Sequence, residues 1–191
     1  MNTGLDQKHA LLYRTILAVV MIALAAALRA APHPWNFTPV GAMALFSGAM
    51  LKDRRLAFAF PLLALFAGDL FVGLYHFKMM VAVYASFLIS VSIGFFLHER
   101  RSVARISVAT LAGAIQFFVI TNFAVWAFLT TYPHTRKGLL ACYVAGIPFF
   151  WNTLAGDASY AVLLFGGFAL AERLVPALRA QRPQALEGAR E

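Results

Sequence analysis

Long apolar runs with few charges alternate with short basic clusters along almost the whole chain. A bilayer-crossing helix needs roughly 20 mostly apolar residues, and six runs approach or meet that requirement. They cover residues 12–31, 39–51, 56–74, 79–97, 106–131 and 152–171. The second is short. Prolines 32, 34 and 39 break the chain before it, and Lys52, Asp53, Arg54 and Arg55 close it. Hydrophobic residues make up 61% of the 191 and charged residues only 13%, where a soluble domain carries about a quarter charged. That balance excludes a soluble enzyme, a nucleic-acid-binding module and a disordered chain. The single cysteine, Cys142, excludes an internal disulfide.

Residues 132–151 are ambiguous. The stretch opens polar, then turns apolar over 139–150, with Pro148 and flanking glycines that disfavour a full crossing. The expectation is a short interfacial or re-entrant helix between helices 5 and 6. The fold class is thus an all-α membrane protein of six transmembrane helices. Residues 1–175 form one domain and 176–191 a polar cytoplasmic tail. Charge supports this count: of the 16 Lys and Arg, only Arg29, Lys78, Arg136 and Lys137 fall on one side. The positive-inside rule then puts both termini in the cytoplasm of a bacterial inner-membrane protein. A cleaved signal peptide fits the first run poorly, because its Ala-x-Ala sites lie inside the apolar core and Arg29 sits where cleavage needs small neutral residues.

Ionisable and amide side chains inside a membrane are costly and point to function. On this topology they gather in the outer half. His33, His76 and His134 fall one in each outer loop, and Asn36 belongs to the first. Asp69 lies near the outer end of the third span. Asn122 and Trp126 are in the fifth, Tyr143 in the short helix, and Asn152 and Asp157 at the start of the sixth. The expected substrate-binding set is His33, Trp35, Asn36, Asp69, His76, Asn122, Trp126, Tyr143, Asn152 and Asp157. Structural roles stand beside it: aromatic residues form interfacial belts, Asn36 and Asn152 can cap backbone ends, and Asp69 and Asp157 can hold the bundle together. His76, Met79 and Met80 form a soft-ligand cluster able to touch a metal-bearing ligand, but no ligand spacing marks a metal site of the protein's own. Ala23, Ala27 and Ala31 repeat at four-residue spacing, which lets a partner helix approach closely. No phosphate-binding loop, H-E-x-x-H or G-x-S-x-G is present. The chain therefore reads as non-catalytic, with no cofactor of its own.

The segment 32–42 (PHPWNFTPVGA), ITNFAVW at 120–126 and GLLACYVAGIPFFWNTLAGD at 138–157 resemble a widespread bacterial family of uncharacterised membrane proteins described only as transport proteins. The resemblance covers roughly residues 29–172. That family is similar, more remotely, to the substrate-binding S components of energy-coupling factor (ECF) vitamin transporters. The resemblance implies a six-helix S-component-like bundle with an outward-facing pocket. It also implies an Ala-x-x-x-Ala face on the first helix that meets a transmembrane coupling subunit and its ATPases, unless the protein acts alone. The expected function is a substrate-binding subunit for uptake of a small vitamin-like nutrient, with the His–Met cluster tilting toward a cobalt corrinoid such as cobalamin. The alternative is a structural or assembly protein that docks another membrane subunit without a small ligand.

Overall fold

The computed structural model describes residues 3–28 and 34–178. The regular structure of the described residues is all helical, with no strand. They form α1 (Thr3–Leu28), α2 (Val40–Met50), α3 (Arg54–Val72), α4 (Phe77–Phe95), α5 (Val103–Phe128) and α6 (Arg136–Ala161). A π-turn (Val162–Gly166) carries α6 into α7 (Gly167–Leu174), and a 3-10 turn, Pro176–Leu178, follows. Side chains cap the starts of α3, α5 and α6. Asp53 accepts the Arg55 and Leu56 N–H groups at 2.8 and 3.4 Å, Ser102 that of Arg105, and Thr135 that of Gly138. Each satisfies N–H groups that the first helical turn leaves open. Gly73, at φ 106, ends α3 in a conformation that a side chain would strain.

Four helical stretches are long and apolar enough to cross a bilayer: Gln7–Leu28, Phe77–Phe95, Val103–Phe128 and Arg136–Leu174. Large apolar side chains run down them uncovered by protein. Ile16, Val20 and Leu24 mark α1; Ile115, Val119 and Phe123 mark α5; Leu140, Val144 and Trp151 mark α6. Apolar faces of that extent are costly in water and at home in hydrocarbon. The chain is built as a helical membrane protein.

Two expectations about the crossings need correction. Residues 139–150 are not a separate interfacial or re-entrant helix, because 136–174 form one continuous helical stretch of 39 residues, about 58 Å long. Pro148 sits inside it. The glycines that resemble breakers are packing residues: Gly138, Cys142 and Gly146 are buried four residues apart along one face, and Gly146 lies hard against the Asn122 side chain. The expected count of six crossings fails as well. The helix α2 has eleven residues, about 16 Å, half the hydrocarbon depth. The helix α3 carries Arg54, Arg55 and Asp69 and is not among the four.

The shortness of α2 has a packing explanation. Nine of its residues are buried, and it touches α1, α3, α4, α5, α6 and the π-turn. Its apolar character is that of a core. Phe46 packs edge-on against Phe165 at 5.2 Å and Phe168 at 5.8 Å, on either side of the π-turn's end. Three residues apart on a helical stretch, the two rings share one face.

At the end of the bundle that holds the described termini, Arg14 pairs with Glu172, donates to the Leu178 carbonyl at 3.1 Å and lies over the Phe168 ring. Leu178 is buried and anchors the 3-10 turn at 176–178 on α1, while Pro176 and Ala177 stay exposed. The expected tail beyond it, 179–191, lies outside the described residues. Arg14→Leu should cost about 2 kcal/mol, the loss of one charge-assisted bond and its ion pair. That lowers the thermal midpoint in detergent by roughly 4–8 °C and exposes the C-terminal turn to protease. A midpoint within a degree of wild type would remove this anchor.

Candidate ligand cavity

The first-loop segment reaches α2 by lying along α6. Phe37 N–H closes a turn onto the Pro34 carbonyl at 3.0 Å, around Asn36 at φ 63, a left-handed conformation that asparagine tolerates. One face of α6, stepping by four residues, clamps this segment. Asn152 Nδ2 donates to the Trp35 carbonyl at 3.0 Å. Gly156 admits the backbone so closely that a Cβ there would sit 3.1 Å from the Thr38 nitrogen. The Tyr160 ring lies 6.1 Å from that of Phe37.

The segment ends where α2 begins, and the positive end of that helix meets Asp157. The carboxylate is 6% exposed and accepts the Ala42 N–H at 3.1 Å, with Gly41 pressed against it. A buried carboxylate is costly without compensation. Here a helix start supplies open N–H groups and a favourable dipole.

Beside Asp157 lies a cavity of about 140 Å³, lined by Asn36, Thr38, Tyr75, Ser90, Thr153 and Asp157, with Val40, Leu65, Phe87 and Phe117 as apolar walls. Behind it a void of about 10 Å³ adjoins Asp157, Ser90 and Thr110, room for roughly one water. The Thr110 Oγ1 and Gln116 Oε1 atoms are buried with no partner among the described residues. Gln116 also donates to the Ser86 carbonyl and Ser90 Oγ, each at 3.0 Å. A row of hydroxyl and amide groups therefore runs between α4 and α5 toward the carboxylate. The cavity can hold a compact solute by one carboxyl group and several hydroxyls. Its volume lies below the roughly 300–1,000 Å³ of sites for drug-sized ligands.

Of the residues expected from sequence, Asn36 and Asp157 line this cavity, while Asn152 and the Trp35 backbone fix its rim. The Trp35 ring itself is 81% exposed. His33 and Ala31 lie outside the described residues. The others stand elsewhere. Asp69, buried at 1% exposure, accepts the Tyr84 hydroxyl at 2.9 Å and ties α3 to α4. His76 is exposed at the start of α4. Asn122, Trp126 and Tyr143 belong to the α5–α6 seam: Asn122 accepts from Cys142 through its carbonyl, Tyr143 donates to the Val119 carbonyl, and Trp126 donates to that of Pro133. Ala23 and Ala27 are uncovered, and α1 packs inward instead through Ala18, Ile22 and Ala25. The sequence reading missed Thr38, Ser90 and Thr153. The four-residue spacing of Thr153 and Asp157 on one helix face was the available signal.

Residues 9–178 match the model of a family of unknown function, DUF6580. The chain belongs to that family. No curated protein and no solved structure matches it. The DUF6580 match runs from α1 to the docked turn at Leu178 and so takes in the cavity and its rim.

Proposed function

We propose that this DUF6580 protein is a substrate-binding membrane subunit for uptake of a small nutrient through the Asp157 cavity. The observation that carries the reading is the buried Asp157 carboxylate at the mouth of a half-length helix, beside a hydroxyl-lined space. Half-helix N-termini near mid-membrane are where transporters build solute sites. The cavity lies at the end away from the basic links, so the positive-inside rule favours an outward-facing mouth. Its size favours a compact polar solute over a whole corrinoid. The uncovered Ala23 and Ala27 are available to a coupling subunit of the ECF kind. The rival reading, an assembly protein without a ligand, draws on the exposed Trp35 ring beside this mouth.

The test is mass spectrometry of small molecules retained by the full chain purified from its native membrane in mild detergent, beside Asp157→Asn. The amide oxygen can still accept the Ala42 N–H, so the variant keeps the fold. We expect a molecule bound to wild type and at least ten-fold less on the variant. Equal retention by both, or none on either, would sink the proposal, and loss of a co-purifying protein on Trp35→Ala would favour the assembly role.

A further inference from the structure

We propose that the cavity at the basic end of the bundle binds the phosphate of an anionic phospholipid. This cavity, about 640 Å³, lies between the first turns of α1, the end of α2 and the α2–α3 and α4–α5 links. Its charged and titratable lining is Lys8, Arg14, Lys52, His98 and Arg101, with no carboxylate among the described residues of the wall. The positive-inside rule accounts for cations on this side of a membrane, but not for their convergence on one hollow. Glu172 pairs with one of these cations, Arg14, and acts electrostatically on Arg101.

Arg101 is the most telling member. It is half-buried, and its guanidinium donates to the Met50 Sδ at 2.8 Å. A thioether is a weak acceptor for a fork of five N–H donors, and that fork matches a phosphate in two-point contact. Burial pushes the Arg101 guanidinium below its ordinary range, against the opposing pull of Glu172. An anion in the cavity would relieve that cost. His98 sits with Nδ1 3.1 Å from the Ala49 carbonyl, leaving Nε2 as its other polar atom.

A lipid, rather than free phosphate, is indicated by the remaining wall. Ala10, Leu11, Ala49 and Met50 are apolar, and the uncovered stripe of α1 continues from Leu12 through Ile16 and Val20. A headgroup seated among the cations would lay its acyl chains along that stripe. Basic pockets between helix ends are known seats for anionic headgroups.

The experiment titrates the detergent-purified full chain with phosphatidylglycerol, phosphatidylcholine or inorganic phosphate and follows its thermal midpoint. Phosphatidylglycerol should raise the midpoint saturably while the other two leave it unchanged. Lys8 and Lys52 are exposed, so K8Q/K52Q spares the fold and should raise the half-saturating lipid concentration roughly thirty-fold. Arg101→Gln should raise it further. Equal response to phosphatidylcholine, or unchanged affinity in K8Q/K52Q, overturns the site. A full response to inorganic phosphate alone overturns the lipid assignment.

Discussion

Gly48→Val should abolish recovery of folded protein, because it pushes apart the two helices whose contact centres the bundle. The crossing of α2 and α4 is made by glycines on both sides. A Cβ on Gly48 would run into the Val91 carbonyl and stand 3.1 Å from the Gly94 Cα, and a Cβ on Gly94 would meet the Leu45 carbonyl and stand 3.0 Å from the Gly48 Cα. Overpacked cores usually lose about 1–3 kcal/mol. Here the obstructing atoms are backbone and cannot turn aside, so the cost is about 3 kcal/mol or more for alanine and greater for valine. Against a total stability of roughly 5–15 kcal/mol, valine leaves little margin. The reading is the monodisperse fraction in detergent and its thermal midpoint. Gly166→Ala is the control, since nothing lies within 4 Å of a Cβ there. Stable Gly48→Val protein would disprove the crossing.

Gly41→Ala comes second in expected effect and joins the fold to the cavity. The added methyl falls on the Asp157 carboxylate, which must then abandon the Ala42 N–H. A buried donor left open costs about 1–3 kcal/mol, and the displaced carboxylate also vacates the cavity wall. The variant should therefore lose both stability, by about 2 kcal/mol, and any retained solute. Asp157→Asn should lose the solute alone, with stability within about 1 kcal/mol of wild type. If Gly41→Ala matches wild type in both respects, α2 does not start against Asp157. These paired readings separate damage to the cavity from damage to the helix start.

The starts of α3, α4 and α5 were legible within two or three residues, because basic and turn residues bracket each apolar run. The long final helix was not. Gly138, Gly146 and Pro148 look like breakers in sequence, and only a neighbour pressed against the glycines turns them into a packing seam. The carboxylate of the cavity could be read in advance, since a charge in an apolar run demands compensation. The hydroxyls of Ser90 and Thr153 could not. Serine and threonine in helices commonly bond back to their own backbone, as Ser90 does to Ser86 and Thr153 to Phe149. Asn122, Trp126 and Tyr143 lie away from this cavity for another reason. They share a depth with the predicted pocket, but the pairing of α5 with α6 turns them toward each other, and linear order carries no record of that rotation.

The half-length of α2 also bears on how the chain is made. A segment of eleven residues is too short to be handed to the bilayer as a crossing in its own right. Its seat exists only once α1, α3 and α4 have gathered around it, so its entry should close the assembly rather than follow the order of synthesis. A fragment ending at Lys52 should accordingly leave residues 40–50 open to a water-soluble thiol reagent attached at Ser47→Cys, while the full chain shields them. Protection already complete in the fragment would show that this helix finds its place without its neighbours.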